Sequence, residues 1–287
     1  MNISKIHAVY FSPCRSTAAL TRAIADRAAE ELKVPVEYYD FTLSKNRKNL
    51  TEFSSDELVI FGMPTYAGRI PNLILPIVQN AFQGNDALAV PVVTFGNRSY
   101  DNSLLELRNE LEKKGFHTVA GGAFVSRHVF TDKVGAGRPD DADVAFVQDF
   151  AVKIAEKVSG LKEIPEPIAV PAKGHDKSNF VAASVDAKIG PYYTPLDEYG
   201  NPAMFLKATP VTDTQKCSRC SICARVCPMD AISTKDVTVM VGTCIKCQAC
   251  VKRCPDKAKS FDDPAFLSHV KMLEENFSSP VEPEIYI

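Results

Sequence analysis

Along the first 160 residues, short apolar runs alternate with stretches of helical period. Residues 5–11 read as a buried strand through Ile6, Ala8, Val9, Tyr10 and Phe11, and residues 34–39, 57–61, 88–95 and 117–125 read as four more. Between them, Leu20, Ile24, Ala28 and Leu32 recur at four-residue steps behind Ser16 or Thr17 as the cap. Residues 70–78 read as a short helix entered through Pro71 and interrupted by Pro76, and residues 102–114 as a helix ended by Gly115. A last helix covers 141–158, with Val144, Val147, Phe150, Ile154 and Val158 on its apolar face. Pro91 belongs near the start of its strand rather than at its centre. Five strands alternating with helices predict an α/β, doubly wound parallel sheet, whose ligand sits beyond the C-terminal strand ends.

That rule directs attention to loops 12–17, 62–69, 96–102 and 125–131. The first, Ser12-Pro13-Cys14-Arg15-Ser16-Thr17, leads straight into a helix, and hydroxyls with free backbone N–H groups there suit a phosphate. An ordinary capped helix reads the same way. Neither dinucleotide nor triphosphate glycine motifs are present. The second and third loops each place a tyrosine and a glycine just past a strand end, Tyr66 with Gly68 and Tyr100 with Gly96. Two rigid aromatics there either sandwich a flat ring or merely cover the sheet end. Of the scattered histidines His7, His117, His128, His175 and His269, only His128 falls in such a loop, the fourth.

Beyond residue 160 the pattern changes. Residues 161–210 hold seven of the nineteen prolines and little helical period, and read as a connector. Its Pro191-Tyr192-Tyr193-Thr194-Pro195 segment either packs across the site or swings free. Then Cys217, Cys220, Cys223 and Cys227 form C-x₂-C-x₂-C-x₃-C before Pro228, and Cys244, Cys247, Cys250 and Cys254 repeat it before Pro255, 27 residues later. Three cysteines in two x₂ turns wrap one [4Fe–4S] cubane, and the fourth, redirected by the proline, reaches the other cluster. Cys217, Cys220, Cys223 and Cys254 are therefore expected on one cluster, and Cys244, Cys247, Cys250 and Cys227 on the other. Structural zinc uses two separated pairs, and disulfides are disfavoured in a reducing compartment. Ile222, Val226, Ile232, Ile245 and Val251 are expected to limit water near the sulfurs. After residue 262 the tail reads as a short docking helix.

Composition changes this picture little. At 287 residues two domains are expected, and 45% hydrophobic with 24% charged residues suit a packed core. A formal charge of −2 gives no reason to expect nucleic acid, and no apolar run is long enough for a bilayer. Residues 1–11 lack the features of a signal peptide, so a cytoplasmic location is expected. Residues 211–262 carry nine Lys/Arg against five Asp/Glu, either an ordinary solvated surface or a docking patch for an acidic redox partner.

Taken together, SPCRST, PTYAGRIP, FGNRSYDN and the cysteine register resemble the ferredoxin–flavodoxin fusion proteins of anaerobes, in the same order along most of the chain. The resemblance implies a flavodoxin-like five-stranded parallel sheet of order 2-1-3-4-5 over 1–160. A connector at 161–210, a small α+β bacterial-type 2[4Fe–4S] ferredoxin-like domain over 211–262, and a tail over 263–287 follow. It implies FMN, with phosphate on Ser12, Cys14, Arg15, Ser16 and Thr17. The ring would lie between Pro64, Thr65, Tyr66, Ala67 and Gly68 on one side and Gly96, Asn97, Arg98, Tyr100 and Asp101 on the other. In loop one, Cys14 and Arg15 replace the family's hydroxyl residue and glycine, which threatens strain. The expected role is electron transfer between the clusters and FMN, and on to a redox protein or small-molecule acceptor. The alternative is an FMN-dependent reductase of a small molecule, and a third class is a redox sensor without turnover. Cys14 lies outside both motifs, either as a small loop-lining residue or as a reactive thiol.

Overall fold

Strand order identifies the architecture. In chain order the first part comprises β1 (Lys5–Tyr10), α1 (Ser16–Leu32), β2 (Val36–Asp40), β3 (Thr51–Glu52), β4 (Glu57–Pro64), α2 (Leu75–Ala81) and β5 (Phe82–Gln83). It continues with β6 (Leu88–Phe95), α3 (Ser103–Lys113), β7 (His117–Thr118), β8 (Gly121–Val125) and α4 (Asp141–Gly160). The main strands lie side by side as β2-β1-β4-β6-β8, all parallel. Counting only these long strands, that is the 2-1-3-4-5 order of a flavodoxin-like doubly wound sheet. The computed structural model describes residues 2–47, 49–172 and 184–287; His175 and the middle of the connector lie outside them.

Both faces of the sheet are covered, as its near-continuous apolar strands require. Leu20, Ile24 and Ala28 of α1 and Val147, Phe150 and Ile154 of α4 pack on Ile6, Ala8, Leu58, Ile60 and Val90. On the other face, Val78 of α2 and Leu104, Leu107 and Leu111 of α3 meet Val9, Val59, Phe61 and Val93. Truncating Phe61, fully buried here, to Ala would cost about 3–5 kcal/mol.

Two sequence expectations need correction. Helix α2 begins at Leu75, not residue 70, because Pro76 sits in its first turn, where a missing N–H costs nothing; it opens the helix rather than interrupting it. Pro91 lies mid-strand in β6, opposite Phe61. On its other side the fifth strand is broken between Thr118 and Gly121, so the register leaves no ladder partner opposite Val90 and Pro91 there.

The second part contains β9 (Val211–Thr212), α5 (Ile222–Arg225), α6 (Ala249–Lys252), β10 (Lys259–Ser260), α7 (Pro264–Asn276) and β11 (Glu284–Tyr286). Strands β9 and β10 pair antiparallel. The one-turn helices α5 and α6 start from left-handed residues, Ser221 (φ 59°) and Gln248 (φ 63°), 27 positions apart. Asp263 caps α7 by accepting from the Phe266 N–H at 2.9 Å. The tail then returns to the first part, where β11 pairs antiparallel with the β8 edge. No helix among the described residues is long and apolar enough to cross a membrane.

Candidate functional site

A pocket opens where strand order reverses, between the C-terminal ends of β1 and β4. It holds about 460 Å³ of empty space, partly open to solvent. Ser12, Cys14, Ser16 and Thr17 line it from loop one, Pro64, Thr65 and Tyr66 from loop two, and Gly96 from loop three. Loop one is held by Ser12, whose hydroxyl accepts from the Ala18 N–H at 3.0 Å and whose N–H donates to the Thr42 hydroxyl at 2.8 Å. Thr17 and Thr94 share a hydroxyl hydrogen bond of 2.7 Å. The N–H groups of Cys14, Ser16 and Thr17 have no acceptor among the described residues and lie at the start of α1. They offer an anion the positive end of the helix.

Loop four completes the pocket with Ser126, Arg127, His128 and Val129, of which sequence reasoning had singled out only His128. Its signal was position: loop four also follows a parallel strand. Burial pulls the His128 pKa down to about 3, with His269, Arg98 and Lys252 adding like charge. His128 Nδ1 accepts from the Phe130 N–H at 3.2 Å, which leaves Nε2 as the protonated nitrogen of the neutral ring. Gly96 has no side chain to spare here: a Cβ would come within 2.5 Å of the imidazole.

Other expected site residues are not among those lining the pocket. The Tyr100 hydroxyl lies 2.5 Å from Glu284 and 2.8 Å from the Tyr286 hydroxyl, so Tyr100 fastens β11 rather than facing Tyr66. Asn97 is buried and binds the tail, donating to the Phe277 and Ser279 carbonyls at 2.7 and 2.8 Å and accepting from the Val281 N–H at 3.2 Å. Arg98 pairs with Asp101 and stacks 4.0 Å over Tyr193 of the connector. Ala67 and Gly68 form the left-handed turn of loop two, where the Ala67 carbonyl accepts from Tyr193 N–H at 2.8 Å. Arg15 is exposed at φ 74°, the left-handed position that the missing glycine would occupy without strain. The described part of the connector thus packs on loops two and three.

The eight motif cysteines come together where the two motifs pack on each other, with Cys217, Cys223 and Cys250 in one apolar cluster. The Cys227 thiol acts electrostatically on Cys244, Cys247 and Cys250, whereas Cys254 acts on Cys223 alongside Cys217. Cys223 also acts on Cys250 and packs in one apolar cluster with it, so the two motifs stand against each other. The repeat extends to the backbone: Ala231 N–H donates to Cys227 Sγ at 3.3 Å, and Ala258 N–H to Cys254 Sγ at 3.2 Å. Cys247 and Cys250 of the second motif are buried, whereas the first motif has Cys223 buried and Cys220 exposed, so the second motif is the more enclosed of the two. Burial raises the pKa of the free thiols of Cys223, Cys244, Cys247 and Cys250, so their thiolates need a bound cationic group.

Iron–sulfur cubanes fit this arrangement. Among the described residues no three His, Cys, Asp or Glu side chains are grouped as ligands of one ion; a cubane instead seats each thiolate on a different iron. Gln248, between Cys247 and Cys250, buries an amide nitrogen that finds no acceptor among the described residues. The flanking Cys247 and Ala249 form a small apolar cluster with Val226, Tyr66, Ile222 and Ile245. A cluster sulfur is the kind of acceptor such a donor lacks.

Pocket and cysteine sites touch. Cys14 of loop one donates its thiol hydrogen to the Cys247 carbonyl at 3.0 Å. Burial pushes the Cys14 thiol up to about 11, against the pull of Lys252, Arg127 and Arg253, which makes it an inert lining residue. Lys252 of α6 pairs with Asp132 at 2.5 Å, and Arg127 meets the same carboxylate at 3.4 Å, tying loop four to the module.

Residues 216–259 match the family of 4Fe-4S dicluster domains. No curated protein sequence matches the chain. Among solved structures, a flavodoxin from the domain Archaea is 16% identical and covers 54% of this chain and 99% of its own, with a TM-score of 0.36. A Streptococcus pneumoniae flavodoxin gives 16%, 54%, 99% and 0.37 in the same terms. Rubredoxin oxygen:oxidoreductase from the anaerobe Desulfovibrio gigas gives 17%, 55%, 37% and 0.39. Likenesses of that size add nothing to what the strand order itself establishes.

Proposed function

We propose that this chain is an iron–sulfur flavoprotein that carries electrons between two [4Fe–4S] clusters and FMN, and on to a redox partner. The observation that carries this reading is the contact of Cys14 in the pocket loop with Cys247 in the second cysteine motif. Electron tunnelling weakens steeply with distance, and here the two sites share a wall of Cys14, Tyr66 and Cys247.

Cys217, Cys220, Cys223 and Cys254 would hold the outer cluster, and Cys244, Cys247, Cys250 and Cys227 the inner one. Ser12, Cys14, Ser16 and Thr17 would hold the FMN phosphate through hydroxyls and helix-start N–H groups. Pro64, Thr65, Tyr66, Gly96 and His128 would flank the ring, with His128 presenting a fixed neutral donor. Arg15, Ala67, Gly68, Asn97, Arg98, Tyr100 and Asp101 brace these loops from outside. When bound, FMN exchanges one or two electrons where each cluster exchanges one. Covalent linkage of the two parts keeps both near each other at high effective concentration.

The carrier reading is favoured over a small-molecule reductase by what surrounds the pocket. A substrate site above a flavin would draw on Tyr100 and the connector tyrosines. Tyr100 is committed to Glu284 and Tyr286, and Tyr192 donates to the Ile70 carbonyl at 2.8 Å. The reading extends to membership of the ferredoxin–flavodoxin fusion proteins of anaerobes and to a cytoplasmic location, which eight reduced thiols favour. Anaerobically purified protein should contain about eight irons and about one FMN per chain. About one zinc and no iron would overturn it.

A further inference from the structure

Lys259 of β10 is only 4% exposed. Its ammonium donates to the Val237 carbonyl at 2.7 Å. Val237 in turn packs against Cys223 and Cys250, one cysteine from each motif. A lysine has three hydrogens to donate, and burying an ammonium is unfavourable unless anions balance it. Among the described residues no carboxylate lies within ion-pair distance of it. The neighbouring Asp236 feels the Lys259 charge, but it is exposed and turned to the Thr238 N–H and hydroxyl at 3.0 and 2.7 Å rather than to the ammonium. In the 27-residue repeat the matching position is Ile232, buried and apolar. The duplicated framework therefore packs without a cation here.

We propose that Lys259 is the internal counter-ion of both clusters, a single buried positive charge placed between two anionic groups to make each easier to reduce. This rests on the two-cluster reading of the cysteine sites. Each reduction adds one electron from an external one-electron donor to one cluster, taking it with its four thiolates from about −2 to about −3. No bond forms or breaks and no proton moves. A fixed positive charge in a low-dielectric interior favours the more negative state. The side chain lies in the field of Cys223 and Cys250 alike, which puts both sites within its reach.

The test is an anaerobic redox titration of the full, cofactor-loaded protein and its Lys259→Met and Lys259→Arg variants, followed by EPR and by iron content. Lys259→Met keeps the length and removes the charge; both clusters should become at least about tenfold harder to reduce, about 59 mV more negative for a one-electron couple. Lys259→Arg should stay near wild type. Unchanged potentials in a fully loaded Lys259→Met protein would overturn the proposal, as would a shift of one cluster alone. If Lys259→Met fails to load iron while Lys259→Arg loads it, charge is required and the proposal stands. If neither loads, volume decides and the proposal fails. Wild-type protein without two clusters would instead refute the reading on which it rests.

Discussion

The thiol of Cys14 donates to the carbonyl oxygen of Cys247 at 3.0 Å, across 233 positions of sequence. One residue lies in the loop after the first strand and the other in the second cysteine motif, so this bond joins pocket and cluster site. Because burial lifts the Cys14 pKa to about 11, about a thousandth of it is thiolate at pH 8. Iodoacetamide at that pH should leave Cys14 unmodified in the loaded protein, as read by peptide mass spectrometry. Fast, complete alkylation would mean the loop is open. Cys14→Ser should keep its full iron content.

Replacing Cys227 by Ala should damage the inner cluster, although Cys227 belongs to the first motif. About four irons should remain, with the EPR signal of a single reduced cluster. Cys254→Ala should spare the inner cluster instead. Equal loss of both clusters in either variant would undo the crossed arrangement.

Tyr100→Phe separates the two roles considered for this ring. Its hydroxyl holds Glu284 and Tyr286, so its loss should cost about 1.5–3 kcal/mol in thermal or denaturant unfolding. FMN affinity, measured by fluorescence titration, should stay within about twofold, well under the tenfold of 1.4 kcal/mol. A large loss of affinity at unchanged stability would return Tyr100 to the pocket.

His128 predicts an acid limit on stability. Below about pH 6.5 the unfolded chain protonates this imidazole, while the folded chain resists until about pH 3. Stability from this group is therefore intact above pH 6.5 and falls as pH falls towards 3. At pH 5.5 the loss is about 1.4 kcal/mol. His128→Asn should flatten the unfolding profile between pH 7.5 and 5.5 relative to wild type; an identical slope would contradict the assignment.

Much of this was legible in the sequence. The α1 face of Leu20, Ile24 and Ala28 and the apolar strands gave the doubly wound sheet, because burial on both faces leaves a local pattern. The cysteine register carried its chemistry in its spacing. Strand β11 was not legible: three residues near the C-terminus pair with an edge about 160 positions away, and so short a run has no readable period. Asn97, Arg98 and Tyr100 sit at the right strand end, but tail and connector claim their side chains, a tertiary choice no loop sequence records. Arg15 stands where the resemblance implies a glycine, and its backbone takes the left-handed region at φ 74°.

The central claim is that electrons cross from the cysteine module to the pocket inside one chain. Rapid mixing of oxidised, FMN-loaded protein with a one-electron donor under anaerobic conditions tests it directly. Cluster absorbance should bleach first, and flavin absorbance should follow at a rate independent of protein concentration. Flavin reduction that scales with protein concentration, or clusters that reduce while the flavin stays oxidised, would contradict the account.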